Sequence, residues 1–193
     1  VAPSFSEEAR AIFAKKKNLR LLQLSDITKR DYTCSKAKTV LGGLLIQDMD
    51  LQLLGGELQY VTNRRPTEKE LEDMLFAWKV VKHTKSNAIA IAKDKCTTGV
   101  GPGQVSRIWA LENAIRQGGE RIPGSVMASD AFFPFADCVE AAHKAGITAI
   151  IQPGGSIHDQ DSIDAANKYD IAMILLKKGI LFDEDTLLKL YFH

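Results

Sequence analysis

From Ser86 to Leu176 the chain alternates short apolar runs with segments of helical periodicity, and this alternation limits the fold more than any other feature. Parallel strands must be joined by long crossovers, and a helix is the usual crossover, so closely spaced strand and helix patterns read as βαβ units. Asn87 to Lys93 is an Ala/Ile strand, and Gly99 to Gln104 reads as a glycine-rich turn. Ser106 to Gln117 follows as a helix carrying Ile108, Trp109, Leu111 and Ile115. Ser125 to Ala128 is a short strand, Asp137 to Ala145 a helix closed by Gly146, and Ile147 to Ile151 a β-branched strand. Pro153-Gly154-Gly155-Ser156 turns into a helix over Asp159 to Lys168, and Ile171 to Leu176 is the last predicted strand. The expected class is α/β, a layered mixed or parallel sheet with flanking helices.

The region before Ser86 reads differently. Ser4 and Glu7 have capping-box spacing ahead of apolar Ala9, Ile12 and Phe13, which predicts a short helix. A strand is expected over Leu19 to Leu24, and another over Thr39 to Gln47, weakened by Gly42 and Gly43, where a bulge or close backbone approach is indicated. Gly55-Gly56 marks a turn, and Thr62 to Pro66 ends this strand-rich stretch. Thr67 and Glu70 form a second capping box before Leu71, Met74, Leu75 and Trp78, the firmest helix signal in the chain. We therefore expect a strand-rich segment over 1–66 and an α/β domain over 67–193.

Charge narrows the partners. With 25 Lys plus Arg against 24 Asp plus Glu, the net charge of +1 offers no basic field for a nucleic acid. No apolar run reaches the roughly 18 to 20 residues of a membrane span, and Val1 to Glu8 lacks the pattern of a secretion signal, so a cytoplasmic location and no membrane partner are expected. Cys34, Cys96 and Cys138 are widely spaced, and His83, His143, His158 and His193 lie far from one another and from the cysteines. Neither a disulfide framework nor a zinc site is expected from that spacing.

Ligands of open parallel sheets gather at the carboxyl ends of strands, so the loops there are the candidate sites. Gly99-Val100-Gly101-Pro102-Gly103-Gln104-Val105-Ser106-Arg107 could hold an anion on its amides, with Arg107 adding a charged fork. The same glycines equally fit a tight strand-to-helix turn, and neither the dinucleotide fingerprint nor the P-loop is completed. Ser129-Asp130-Ala131-Phe132-Phe133-Pro134-Phe135-Ala136-Asp137 sets three aromatics beside carboxylates, which suits a planar heterocycle; alternatively the rings fill the core and Asp137 caps a helix. Gln152 to Asp159 offers glycines and the Ser156 hydroxyl at a helix start. Lys82-His83 near Ser86-Asn87 invites an acid–base reading, yet a helix C-terminus favours Lys and His on dipole grounds alone. The zinc-deaminase signature and the serine nucleophile elbow are both absent.

Together with Lys85-Ser86-Asn87, these three loops resemble the AICAR transformylase part of the bifunctional purine-biosynthesis enzyme, whose other domain is an IMP cyclohydrolase. Ser129 to Phe135, Ser-Asp-Ala-Phe-Phe-Pro-Phe, is the most distinctive word, and the likeness runs to about Met173. The resemblance implies a cytidine-deaminase-like fold without zinc, here the second of two such halves. It also implies formyl transfer from 10-formyltetrahydrofolate to the 5-amino group of the aminoimidazole carboxamide ribotide. By the same resemblance Asn87 orients the substrate, while Arg107, Phe132, Asp137, Ser156 and Ile157 serve the folate. A homodimer or a complementary upstream half is the implied partner, alongside the nucleotide and the folate.

Two departures stand out. The family's proton-transferring Lys-His segment belongs to the first half, and Lys82-His83 is not its counterpart. In the tail, Lys177 to Thr186 replaces the family's Gly-Met-Arg-His-Phe-like ending, whose arginine helps bind the ribotide. The chain is therefore expected to be a catalytically incomplete half, with a noncatalytic dimerisation or ligand-binding module as the alternative.

Overall fold

The computed structural model describes residues 1–29, 35–49, 53–54 and 56–176, with the backbone of Leu188–Phe192. The chain separates into two units, Val1–Leu51 with Leu187–His193, and Gln52–Thr186.

In the smaller unit, helix α1 (Glu7–Ala14) starts where Ser6, not the expected Ser4, accepts a hydrogen bond from the Ala9 amide at 3.2 Å. Ser6 wins because it directly precedes the acidic first turn, Glu7-Glu8, in extended backbone. The strand expected over Leu19 to Leu24 does not form. Only Gln23 bridges to Ala2, and Leu19, Leu21, Leu22 and Leu24 are all exposed. An apolar run without a partner strand leaves its ladder unpaired and its side chains wet. The stretch expected as one glycine-weakened strand is a hairpin, β1 (Ser35–Val40) antiparallel to β2 (Gly43–Asp48), with Val40 opposite Gly43. Gly42, at φ +80°, turns the two-residue connection that a side chain would resist. Leu188–Phe192 adds β9 to the other side of β2, so Ile171 to Leu176 is not the last strand. The turn expected at Gly55-Gly56 falls partly outside the described residues, which do not include Gly55.

The larger unit holds β3 (Leu58–Tyr60), α2 (Glu68–Lys82), β4 (Ile89–Lys93), β5 (Cys96–Gly101), α3 (Arg107–Gly118), β6 (Val126–Ser129), α4 (Asp137–Lys144), β7 (Ala149–Pro153), α5 (Asp159–Lys168) and β8 (Ala172–Leu176). Its six-stranded sheet runs β3-β8-β7-β6-β4-β5. β6, β7 and β8 are parallel, while β4, β5 and β3 each pair antiparallel, so the sheet is mixed.

Side chains alternate along β4, as strand geometry demands. Ile89 and Ile91 enter one core with Leu111, Ala142, Ile150, Ala166 and Met173. Ala88, Ala90 and Ala92 enter the other with Met74, Ala77, Trp78 and Val81 of α2. Small residues on that second face leave room for Trp78, whose indole nitrogen donates to the Leu53 carbonyl at 2.7 Å. The predicted capping box of α2 is present: Thr67 accepts from the Glu70 amide at 3.2 Å, and Glu70 accepts from the Thr67 amide at 2.8 Å. Burial pushes the Glu70 carboxyl upward, but hydrogen bonds from Arg64, Thr148 and the Thr67 amide outweigh it and hold the group below its ordinary value.

The first half of the glycine-rich turn expected over Gly99 to Gln104 is strand. Gly99 and Gly101 belong to β5, and a Cβ on either would fall inside the van der Waals radius of a carbonyl oxygen of α3, Ala114 or Ala110 respectively. These glycines let helix backbone lie directly on strand backbone. Only Gly103, at φ +65°, acts as a turn glycine.

The β4–β5 hairpin turns at Asp94 and Lys95, both at φ +54°. Asp73 on α2, 4% exposed, accepts from the Asp94 amide at 3.0 Å and the Lys95 amide at 2.7 Å. Asp73→Ala removes a charged acceptor from two amides at once and is expected to cost about 3 kcal/mol in urea unfolding. A loss below about 0.5 kcal/mol, the range of ordinary surface substitutions, would reject this role.

Candidate functional site

Sheet register gathers the candidate loops on one edge. Ile89 stands opposite both Gly101 and Ser129, Ala128 beside Ile151, and Pro153 beside Leu176. The residues before β4 and those after β5, β6 and β7 therefore emerge together, at the strand ends where α/β sheets bind ligands. Asn87, Arg107, Phe132, Asp137, Ser156 and Ile157 all lie on these segments.

Asn87 is half-buried and precedes β4. Its side-chain nitrogen donates to the Gln104 carbonyl at 2.9 Å, and its main chain exchanges further bonds with Gln104. The carboxamide oxygen keeps no partner among the described residues and so remains an acceptor for a ligand N–H.

Arg107 opens α3 behind the N-cap Ser106, which accepts from the Trp109 amide at 3.3 Å. Only 8% exposed, it turns inward: Nη1 donates to the Ala88 carbonyl at 3.2 Å and to Asp130 Oδ1. Among the described residues, Arg107 Nε and Asp130 Oδ2 are buried without partners.

The aromatic word divides into two roles. Phe133 is fully buried, whereas Phe132 and Phe135 are 43% and 61% exposed. The division is set by Gln152, itself fully buried on β7, whose side-chain oxygen accepts from the Phe133 amide at 2.8 Å. Asp137 is exposed in the first turn of α4, favourably placed at the positive end of the helix, with Oδ1 accepting from the Cys138 amide at 2.7 Å. Burial, with Asp137 adjoining, pushes the Cys138 thiol far up, so it is no nucleophile at neutral pH.

In the third loop, Ser156 Oγ accepts from the His158 amide at 3.0 Å, and Ile157 stands 94% exposed. The Gly155 and Ser156 amides point to Asp159, at 2.7 and 3.3 Å. The glycine loop's amides are likewise spoken for. Val100 donates to Gln117, Gly103 to the Lys85 carbonyl and Gln104 to that of Asn87. The glycine part of the expected anion cradle is thus taken up by the protein's own acceptors, whereas the Val105, Ser106 and Arg107 amides at the helix start have no partner among the described residues. Lys82 and His83 end α2, where the dipole favours them.

Asn87 and Arg107 are joined through Ala88, while Phe132, Asp137, Ser156 and Ile157 share the edge without a hydrogen bond to either. Sequence reasoning missed Asp130 and Gln152 as organising residues; it grouped Asp130 with the ligand-facing acids, but the side chain is 1% exposed. The available signal was a polar residue directly at a strand end, which is too common to single out either one. Among the described residues no three His, Cys, Asp or Glu side chains group as metal ligands, and no helix is long and apolar enough to cross a membrane.

The family described as AICARFT/IMPCHase bienzyme matches residues 1–117. The bifunctional purine biosynthesis protein PurH of Caldicellulosiruptor bescii is 59% identical over 162 residues, covering 84% of this chain and 31% of that protein. The PurH proteins of Acetivibrio thermocellus and Bacillus subtilis are 62% and 53% identical, each over 84% of this chain and 32% of their own length. The chain thus spans about a third of the length of the curated relatives it matches. Among solved structures, Acinetobacter baumannii RibD aligns over 54% of this chain and 33% of its own, at 20% identity and a TM-score of 0.39. With the family match extending over more than half of its residues, the chain belongs to the AICARFT/IMPCHase bienzyme family.

Proposed function

We propose that this chain is the second half of a formyltransferase unit in purine biosynthesis, moving a formyl group from 10-formyltetrahydrofolate to the 5-amino group of the aminoimidazole carboxamide ribotide. The observation that carries the reading is the free carboxamide oxygen of Asn87, on the same sheet edge as the Ser129 to Phe135 word. The attacking amine is conjugated with its ring and is a poor nucleophile. An acceptor that holds one of its N–H bonds turns the nitrogen lone pair toward the formyl carbon. The N–C bond then forms, the bond from the formyl carbon to the folate nitrogen breaks, and one amine proton is lost as the folate nitrogen gains one.

On the folate side, exposed Phe132 offers a ring face, while Asp137 and the Ser156-Ile157 segment line the neighbouring loops. Arg107 would meet the folate with the part of its guanidinium that Asp130 and Ala88 leave unused. Proton removal falls to the Lys-His segment of a complementary upstream half, and two copies would complete the sites. Location in the cytoplasm, with soluble metabolites as ligands, belongs to the same proposal. A ligand-binding or dimerisation module without turnover is the second reading, favoured by the inward turn of Arg107 and the self-occupied loop amides.

Tetrahydrofolate release from 10-formyltetrahydrofolate and the ribotide distinguishes the two, measured with this chain alone and mixed with an upstream half. The expected result is transfer only in the mixture, lowered at least about tenfold by Asn87→Ala, the loss of one hydrogen bond to the reacting group. A stable complex without transfer would establish the noncatalytic reading. Arg107→Ala should weaken folate binding in calorimetry, and unchanged affinity would remove Arg107 from the folate site.

A further inference from the structure

We infer that Asp130 is a positioning residue, fixing the peptide next to Asn87 and the guanidinium of Arg107 in one act. The inference rests on the reading of Asn87 as the substrate-orienting residue. Register places Ala88 opposite Asp130, one step beyond the last pair of β4 and β6, Ile89 and Ser129. An ordinary antiparallel rung would exchange two main-chain bonds there. Only one is made: the Asp130 amide donates to the Ala88 carbonyl at 3.3 Å. The other is replaced by the side chain, since the Ala88 amide donates to Asp130 Oδ1 at 2.9 Å.

That substitution has two effects. It frees the Asp130 carbonyl, so the chain leaves the sheet toward Phe132 while the rung stays closed. It also puts a carboxylate where Arg107 Nη1 can bind it and the Ala88 carbonyl together. Both polar groups of the Ala88 peptide are thereby committed to Asp130 and Arg107. The neighbouring Asn87 is held from its other side by Gln104, so its carboxamide has little freedom left.

The arrangement is poorly built for stability alone. Arg107 Nε and Asp130 Oδ2 are buried without partners among the described residues. A buried ion pair with unsatisfied atoms gains less than the apolar packing that could replace it. Its evident product is fixed geometry at the sheet edge.

The test is nitrogen-15 NMR of this chain, comparing wild type with Asp130→Asn, Asn87→Ala and the double variant, each titrated with the aminoimidazole carboxamide ribotide. Asp130→Asn is expected to speed hydrogen exchange of the Asn87 side-chain amide about tenfold or more, and to weaken ribotide binding by a similar factor. Once Asn87 is alanine, Asp130→Asn should weaken binding no further, because both changes act through one carboxamide. Wild-type exchange at Asn87 in Asp130→Asn, or additive losses in the double variant, would overturn the inference. If neither the wild-type chain nor its mixture with the upstream half binds ribotide, the functional reading fails and the exchange rate alone decides on Asp130. Should Asp130→Asn not fold, the charge-free pair Arg107→Met with Asp130→Asn carries the exchange measurement. Faster exchange at Asn87 in that pair sustains the inference, and wild-type protection rejects it.

Discussion

Gly101→Ala is expected to remove a large share of the chain's folding stability. The added Cβ would overlap the carbonyl oxygen of Ala110, and both partners of the clash are main chain, one in β5 and one in α3. Neither can rotate away as a side chain would, so the helix must lift off the strand. Doing so opens a core that includes Ala110, Leu111 and Ala114, all fully buried. A cost of more than about 3 kcal/mol, at or above the upper range for overpacking, is a large share of a domain's stability. Circular dichroism and a urea titration measure it. Gly42→Ala is the control, since that glycine has open space around it and only a positive φ to lose. It should cost about 1 kcal/mol. Equal effects at the two glycines would mean that backbone conformation, not the helix contact, governs Gly101.

The second large effect is expected at Phe133. Truncation to alanine removes a fully buried ring from the core shared by Ile89, Leu111, Cys138 and Ile150, and should cost about 3 to 5 kcal/mol. The neighbouring Phe132→Ala should change stability by no more than about 0.5 kcal/mol, because the ring is 43% exposed. On the proposed reading its effect should appear instead in folate binding. Unfolding midpoints of the two variants provide the measurement, and similar losses would mean that the loop is a single packed unit. The contrast has a functional side: the buried ring and the Gln152 bond to its amide anchor the loop that presents Phe132.

These two positions also show where the sequence could be read and where it could not. Helices α2, α3 and α5 were legible because their starts carry local signals, the Thr67–Glu70 box, Ser106 and the acidic Asp159-Asp161 turn, that need no tertiary partner. Parallel β7 and β8 were legible because burial on both faces makes Ala149-Ile150-Ile151 and Ala172 to Leu176 continuous apolar runs. Gly99 and Gly101 were misread as a turn because composition cannot distinguish a glycine needed for its φ from one needed for its missing Cβ. Leu19 to Leu24 looked like a strand because apolarity carries no information about whether a partner exists.

At the site, residue types were visible but directions were not. Ser129 to Phe135 marked a loop on the sheet edge, yet which ring faces inward depends on Gln152, a distant residue brought near only by the sheet. Asp130 looked like a ligand-facing acid for the same reason. Its role follows from sitting opposite Ala88, which is a fact of strand register.

The strand at Leu188–Phe192 has a consequence for how the protein is made. It pairs with Gly43–Gln47, so the smaller unit is completed by a segment that leaves the ribosome after the whole of the larger one. Until then one side of β2 has no neighbour and offers open amide and carbonyl groups to any passing strand. Synthesis proceeds at roughly 5 to 20 residues per second, and the larger unit can fold in that interval. The order of emergence thus makes the interrupted unit the last to close.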